Sequence, residues 1–315
     1  MNLIKKIGAC SLLACMGATI MFGTTGCSQP TPEELLKEVN TNLSKVSSFE
    51  ANTKMDLDMD MSISGTSIPF TTNLDLDIKA TTKPSIVYMN GKITMDLFGG
   101  TNKGDIESYI TVDDKDIVTY TKSTDGSSWS KTVTTDSDAP SSDVLNMLSG
   151  ITVSDTKYTL EDTKDKINDA DVYLLKGTVN YEQVKSLLGS SLLKDSAVTG
   201  ELVSDNYDYS KFTPSVELYI YKDSKLPAKV NIDMAKALES VVNSVASNDE
   251  ANTSSSSVTA NKFNVNMTFS NFNKVDAITI PDNVLSSAES STTSDGSSDS
   301  SSTTATVNSE TSSNS

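Results

Sequence analysis

The chain has 315 residues, a formal net charge of −17 and an aromatic share of 6%. A surface this acidic repels the phosphates of nucleic acids and of anionic lipid headgroups, so neither is expected as a partner. The sequence contains no histidine and no arginine. These are the usual side chains for proton transfer near neutral pH and for bidentate binding of anions. We therefore predict a protein that is not an enzyme, with no catalytic residues, metal or cofactor.

The N-terminus carries the pattern of a secretory signal. Lys5 and Lys6 precede the apolar run 7–22, which small residues close. As a helix the run spans about 24 Å, less than the roughly 30 Å of a membrane's hydrocarbon core. That favours a signal over a stable span. Cys27, directly after Thr-Thr-Gly, resembles the acylated cysteine of a bacterial lipoprotein signal. The alternative is an ordinary signal or an uncleaved anchor with an incidental cysteine.

The lipoprotein interpretation predicts both location and processing. Residues 1–26 form the signal peptide, and 27–30 hold the acylated Cys27 and a short tether. The mature protein is then lipid-anchored at the cell membrane and faces the extracytoplasmic side. Loss of the two signal lysines moves the formal charge from −17 to −19. Cys10 and Cys15 leave with the signal, so one cysteine remains and no internal disulfide can form.

A helix begins a single predicted domain at 31–285. Thr31 is the expected N-cap, Pro32 the first helical residue, and Glu34 completes a capping box. Apolar residues follow at helical period up to Val46, which predicts packing on a sheet. From Phe49 the period changes to two, and a long antiparallel meander of about seven strands is expected. Its strongest hairpin signal is the dipeptide Asn90-Gly91.

The strict alternation in the first strands separates an acidic face from an apolar face. The acidic residues are Asp56, Asp58, Asp60, Asp75 and Asp77. Because like charges opposite one another destabilise a sheet, either lysines such as Lys54, Lys79 and Lys92 or a cation must lie among them. We interpret these acidic residues as the solvated outer face of the sheet. The alternative is that they form a weak Ca²⁺ site.

The apolar face is rich in methionine, which adapts to irregular apolar shapes. Such residues suit a cavity for a variable apolar ligand, and they suit an ordinary core equally well. The candidate lining residues are Met55, Leu57, Met59, Met61, Met89, Met95, Met234 and Met267.

The second half of the chain mixes strands and helices before a polar tail. Residues 216–221 and 228–234 predict a hairpin, and 235–246 shows the apolar spacing of an amphipathic helix. Short helices are also predicted near 144–148 and 184–192. Residues 286–315 are dominated by serine and threonine, which cannot bury enough apolar area to offset the entropy of ordering. They are predicted to be a disordered tail.

Spaced motifs resemble those of extracytoplasmic lipoproteins related to the LolA and LppX–LprG carriers. They are Ser48-Phe49, Glu107-Ser108-Tyr109, Trp129-Ser130-Lys131, Lys225-Leu226-Pro227 and the closing Ile278-Thr279-Ile280-Pro281. The resemblance implies an α+β fold, a strongly curved antiparallel half-barrel with amphipathic helices packed on its concave face. In the carriers, the apolar space between sheet and helices holds acyl chains.

Together these observations predict a membrane-anchored lipoprotein that binds an apolar ligand, lipid or acyl chains, without chemistry. Its partners would be the membrane, through Cys27, and a lipid; no protein partner is indicated. The alternative is a non-enzymatic interaction or sensor module whose half-barrel is fully packed and whose acidic convex face binds its partners.

Overall fold

The structure, a computed structural model, describes residues 29–63, 65–113, 116–123, 126, 128–135, 152, 156–184, 212–246 and 256–292. The helices with assigned bounds in these residues are α1 Pro32–Leu43, α2 Ala235–Ala246 and α3 Asp282–Ser287. The strands are β1 Ser48–Ile63, β2 Thr66–Thr82, β3 Ser85–Leu97, β4 Gly100–Asp113, β5 Asp116–Lys122, β6 Trp129–Thr135, β7 Thr159–Glu161, β8 Lys166–Ile167, β9 Ala170–Thr178, β10 Ser215–Tyr221, β11 Pro227–Asp233, β12 Ser256–Ser270 and β13 Glu289–Thr292.

The strands form one sheet in the order β13-β6-β5-β4-β3-β2-β1-β12-β11-β10-β9-β7, with β8 paired to β9. The pairings are antiparallel except that of β13 with β6, and the two outermost strands do not meet. The predicted fold class is therefore confirmed: the protein is α+β, with a curved, open, mostly antiparallel sheet and few helices. The long strand β1 lies near the middle, between β2 and β12.

The main core lies between the helices and one face of the sheet, which we call the inner face. Helix α1 begins as predicted, with Thr31 and Glu34 forming a capping box and Pro32 in the first turn. Its apolar stripe is buried against strand residues of the inner face; the stripe consists of Leu35, Leu36, Val39 and Leu43. Helix α2 adds Ala237 and Leu238 to the same cluster. The opposite face of the sheet is the outer face.

The predicted hairpin at Asn90-Gly91 is wrong. Strand β3 runs unbroken from Ser85 to Leu97, and the turn to β4 lies at Phe98-Gly99, where both residues have positive φ. Gly91 serves a different purpose, since a Cβ atom there would lie 2.0 Å from the backbone oxygen of Asp75. Glycine in a strand interior often marks such a close backbone approach. The meander up to residue 135 consequently has six strands in the described part of the chain.

The C-terminal segment packs on the outer face of β3–β6. Val284 joins a cluster with Tyr109, Tyr120 and Val118, and Ile278 and Ile280 pack against it. Strand β13 then pairs in parallel with β6. Residues 286–292, which the sequence assigns to the tail, therefore belong to α3 and β13 or join them.

Several predictions concern residues outside the described ranges. These are the signal peptide, Cys27, the helix near 144–148, most of the helix near 184–192 and the tail from residue 293 onward. Residues 181–184 are helical. In the part of the chain that the structure describes, no helix is long and apolar enough to cross a membrane.

Candidate ligand-binding site

Seven of the eight candidate lining residues lie in strands and Met234 directly follows β11, but the eight divide into two groups by burial. Leu57, Met59, Met234 and Met267 are buried within the main core. Met55, Met61 and Met89 are half-buried and pack against that core. Met95 is also half-buried. Four of the candidates are thus core residues and four keep part of their surface exposed, and the cavity itself stays a prediction.

The half-buried residues form a contiguous apolar area on the inner face of β1, β3 and β4, which we call the methionine patch. It consists of Met55, Met89, Ile93, Met95, Leu97 and Ile106. Strand pairing makes the area continuous, because Leu74 of β2 lies between Met55 and Ile93 in the register. Similarly, Ile78 is the cross-strand neighbour of Met89. The patch is apolar surface at the edge of a buried core, as ligand sites commonly are.

Sequence reasoning missed Ile93, Leu97 and Ile106 as members of this patch. The wrongly predicted turn at residues 90–91 divided β3 into two short strands. The residues after the turn were therefore not assigned to the same face as Met89. The signal was present, since Val87, Met89, Gly91, Ile93, Met95 and Leu97 occupy every second position. Unbroken alternation across an Asn-Gly dipeptide indicates a continuous strand.

Two threonine side chains interrupt the apolar inner face beside the methionine patch. Thr53 lies on β1 two residues before Met55, and Thr72 on β2 is the cross-strand neighbour of both Leu57 and Met95. Both threonines are buried. Their hydroxyl oxygens have no hydrogen-bond partner in the described part of the chain. These are the polar groups closest in register to the patch.

On the outer face, lysine and asparagine side chains separate the acidic residues. Lys54 Nζ lies 2.9 Å from Asp75 Oδ2, and Lys262 Nζ lies 2.8 Å from Asp56 Oδ2. Asn261 donates hydrogen bonds to both Asp58 and Asp60. Hydrogen bonds from Lys54 and from Asn52 lower the pKa of Asp75. Of the lysines named from sequence, Lys54 pairs with one of these acids and Lys79 lies 3.4 Å from Glu50 instead, whereas Lys262 was not among them.

No group of three or more acidic, cysteine or histidine side chains suited to a metal ion occurs among the described residues. The register explains this arrangement of the acids. Asp56 lies opposite Asn73 and Asn264, and Asp58 lies opposite Thr71 and Lys262. Each carboxylate thus faces a neutral or positive neighbour across the strands, which stabilises the sheet.

A second cluster, rich in aromatic rings, lies on the outer face at the end of the meander. The ring centroids of Tyr88 and Tyr109 are 4.8 Å apart, and those of Tyr109 and Trp129 are 5.9 Å apart. Lys122 donates a 2.9 Å hydrogen bond to Glu107 beside these rings. The C-terminal segment packs against the cluster. Its position shows a packing role, in which the cluster holds that segment on the sheet.

Comparisons with known proteins give remote structural similarities and one family. The chain is similar to LprF from Mycobacterium bovis, with 15% identity, a TM-score of 0.43, and coverage of 80% of this chain and 96% of the other. A DUF1329 family protein from Desulfovibrio piger has 10% identity and a TM-score of 0.24, covering 78% of this chain and 92% of its own. A β-barrel-like protein of DUF1849 from Brucella abortus has 10% identity and a TM-score of 0.22, covering 71% and 96%.

The search of curated proteins gave no match. Residues 31–289 match the model of a group described as "Family of unknown function (DUF6612)". This match extends from the N-cap of α1 to the first residue of β13 and so spans nearly all of the described fold. The protein is therefore a member of the DUF6612 family.

Proposed function

We propose that this protein is a membrane-anchored extracytoplasmic lipoprotein that binds an apolar ligand, lipid or acyl chains, at the methionine patch. The observation that carries the proposal is that the methionine patch stays half-buried beside a core whose residues on β1 and β2 are buried. Apolar surface grouped beside a core commonly marks a site of ligand or partner binding. The helices α1 and α2 on the same face would act as a lid over the bound ligand.

Burial of hydrocarbon would supply the affinity. Each methylene group that leaves water contributes about 0.8 kcal/mol, so an acyl chain needs no specific contact to bind well. Methionine side chains are unbranched and polarisable, and they adjust to chains of different length. The sequence contains no histidine or arginine, and we propose that binding occurs without a chemical step.

The proposed anchor is the acylated Cys27. The capped start of α1 at Thr31 follows this residue after a very short tether. Such a tether would hold the domain close to the bilayer and within reach of membrane lipids. The resemblance of the sequence to the LolA and LppX–LprG carriers supports the same conclusion, because those proteins hold acyl chains between a curved sheet and its helices.

A second candidate function has support from the same face. Leu57, Met59, Met234 and Met267 are packed into the core and leave no room for a ligand at their own positions. A fully packed half-barrel would act as a non-enzymatic interaction or sensor module, with partners on its outer face. The two functions differ in whether the purified protein carries lipid.

Native mass spectrometry of the mature protein, extracted from membranes in mild detergent, distinguishes the two functions. The lipid-binding function predicts an added mass that organic solvent removes, together with a higher melting temperature when lipid is returned. A clean apo mass, with no gain in stability on adding lipid, would rule out this function and favour the packed module.

A matched pair of variants tests whether the methionine patch is the site. Ile93 lies in the patch, whereas Thr94, the next residue of β3, faces the opposite side of the sheet and is also half-buried. Ile93→Glu places a charge in the patch and should abolish lipid retention. Thr94→Glu should retain lipid. Equal retention by two folded variants would exclude the patch as the site.

A further inference from the structure

The tip of the β3–β4 hairpin exposes a large apolar residue. Phe98 at this tip is 73% exposed, and the other exposed large apolar residue among those described, Leu285, is 48% exposed. The apolar residues of β3 behind the tip are buried or half-buried. Because single apolar residues are common on protein surfaces, exposure by itself indicates no role for Phe98.

The backbone of the tip makes phenylalanine a costly choice there. Phe98 has a φ of 54°, in the left-handed region where glycine and asparagine fit best. Gly99 follows with a φ of 76°, and two positive values in succession are typical of a type I′ turn, which prefers Asn-Gly. The chain thus has a bulky apolar residue where a small polar one would be more stable. Strained residues of this kind cluster at functional positions.

The tip is also uncharged. Residues 97–102 read Leu-Phe-Gly-Gly-Thr-Asn, and the nearest charges along the chain are Asp96 and Lys103. The Asp96 carboxylate accepts hydrogen bonds from the hydroxyls of Thr101 and Thr71, and these bonds lower the pKa of Asp96. That charge is therefore engaged by neighbouring strand side chains. A tip without charge offers nothing to an ionic partner and suits an electrically neutral, apolar surface.

We propose that the tip of the β3–β4 hairpin enters the surface of a bilayer of zwitterionic lipid, with the Phe98 ring among the upper acyl chains. This inference rests on the proposed location at the membrane and adds a second contact surface to the anchor at Cys27. Apolar side chains of proteins that lie on membranes are buried at this depth. Transfer of one phenylalanine side chain out of water strengthens such a contact by about 10-fold.

A zwitterionic bilayer fits the tip better than two other surfaces do. The formal net charge of −17 opposes binding to anionic lipid. An apolar pocket on a partner protein would be lined by polar groups at its rim, for which the glycine-rich tip has few side chains. The short tether at residues 27–30 would hold the domain at the bilayer, which keeps that surface within reach.

The test couples the mature chain, residues 27–315, to phosphatidylcholine vesicles through Cys27. A maleimide lipid attaches there because Cys27 is the single cysteine of the mature chain, so the test does not depend on natural acylation. Phe98→Trp places a fluorophore at the tip. Leu285→Trp is the matched control, because Leu285 is exposed on α3, which packs on the outer face. Lipids with brominated acyl chains should quench the added fluorescence of Phe98→Trp and leave that of Leu285→Trp unchanged. Trp129 gives both variants the same background.

Hydrogen exchange followed by mass spectrometry examines the tip with its native residue. The amides of residues 97–102 should exchange more slowly in the coupled chain than in the free chain. Phe98→Asn should lose this difference. Since asparagine suits the turn better than phenylalanine does, unfolding of the tip is not the cause of that loss.

Two results would overturn the inference. Equal quenching of the two introduced tryptophans means that the tip does not enter the bilayer. Equal exchange of residues 97–102 in the coupled and free native chains means that Phe98 meets a protein surface or none. Either result leaves the proposed function standing, because lipid retention and acylation of Cys27 are measured separately. Conversely, absence of both the acyl group and bound lipid would end the proposed function, whatever the quenching at the tip.

Discussion

Gly91 of β3 lies so close to β2 that a Cβ atom on it would be 2.0 Å from the carbonyl oxygen of Asp75. The contact is with backbone, which cannot rotate away as a side chain can. A side chain at this position would push β3 away from β2, between Met89 and Ile93 of the methionine patch. The patch therefore depends on a residue that contributes no side chain to it.

Gly91→Ala should lower the free energy of unfolding by about 3 kcal/mol, as overpacking of a tight contact does. Urea denaturation followed by circular dichroism measures this change. Gly100→Ala is the control, because the nearest atom to its Cβ position is the Leu97 oxygen at 3.5 Å, an ordinary contact. Similar losses for both variants would contradict the assigned role of Gly91.

Phe98 forms the β3–β4 turn in an unfavourable conformation. Its φ is 54° and the residue is 73% exposed. The next residue, Gly99, has a φ of 76°. Two positive φ values are typical of a type I′ turn, which prefers asparagine followed by glycine. Phe98→Asn should therefore raise the free energy of unfolding by about 1 kcal/mol. Phe98→Val should lower it, because β-branched residues fit this region worst. Denaturation curves that rank the two variants in reverse would exclude a strained turn.

Glu217 on β10 predicts a pH dependence of stability. It accepts hydrogen bonds from Lys176 and Asn231, and the bond from Lys176 is the main reason that its pKa is lowered from the ordinary 4.5. A lowered carboxyl pKa stabilises the fold above the unfolded-state value, and this contribution is lost as the pH falls through the folded-state pKa. Glu217→Gln should thus melt at a lower temperature than the native protein at pH 7, with the gap closing below about pH 4.5.

A double-mutant cycle identifies the source of that effect. In a Lys176→Met background, the Glu217→Gln substitution should change the pH profile less, because the main partner is already absent. An unchanged profile difference in this background would mean that Lys176 is not the cause.

Cys27→Ala tests the proposed membrane anchor. Loss of the thiol removes the site of acylation, so the protein should move from the membrane fraction to the soluble fraction or stay as unprocessed precursor without label from radioactive palmitate. Cys15→Ala is the control, because that residue lies inside the predicted signal and should not affect attachment. Retention of labelled protein in membranes after Cys27→Ala would contradict lipidation at this residue.

Local patterns predicted much of the fold because their causes are local. The capping box of α1, the β10–β11 hairpin and the helix at 235–246 follow from neighbouring residues, and the structure confirms them. The alternation of β1 and β2 likewise separated the buried residues from the acids. The predicted turn at Asn90-Gly91 is wrong for a non-local reason. Both residues pair with β2 inside the sheet, where Gly91 lies against the backbone of Asp75.

The sequence alone determined the alternation that gives the sheet two unlike faces. It also contains no histidine or arginine, which is why we propose binding and not catalysis. Tertiary structure decided which inner-face residues are packed and which stay half-buried, because burial depends on what the helices and other strands bring opposite them. It also decided that Thr53 and Thr72 lack partners while Thr81 and Ser108 have them. A buried hydroxyl forms a hydrogen bond only when folding brings a partner group next to it. The identity of the residue does not reveal whether this happens.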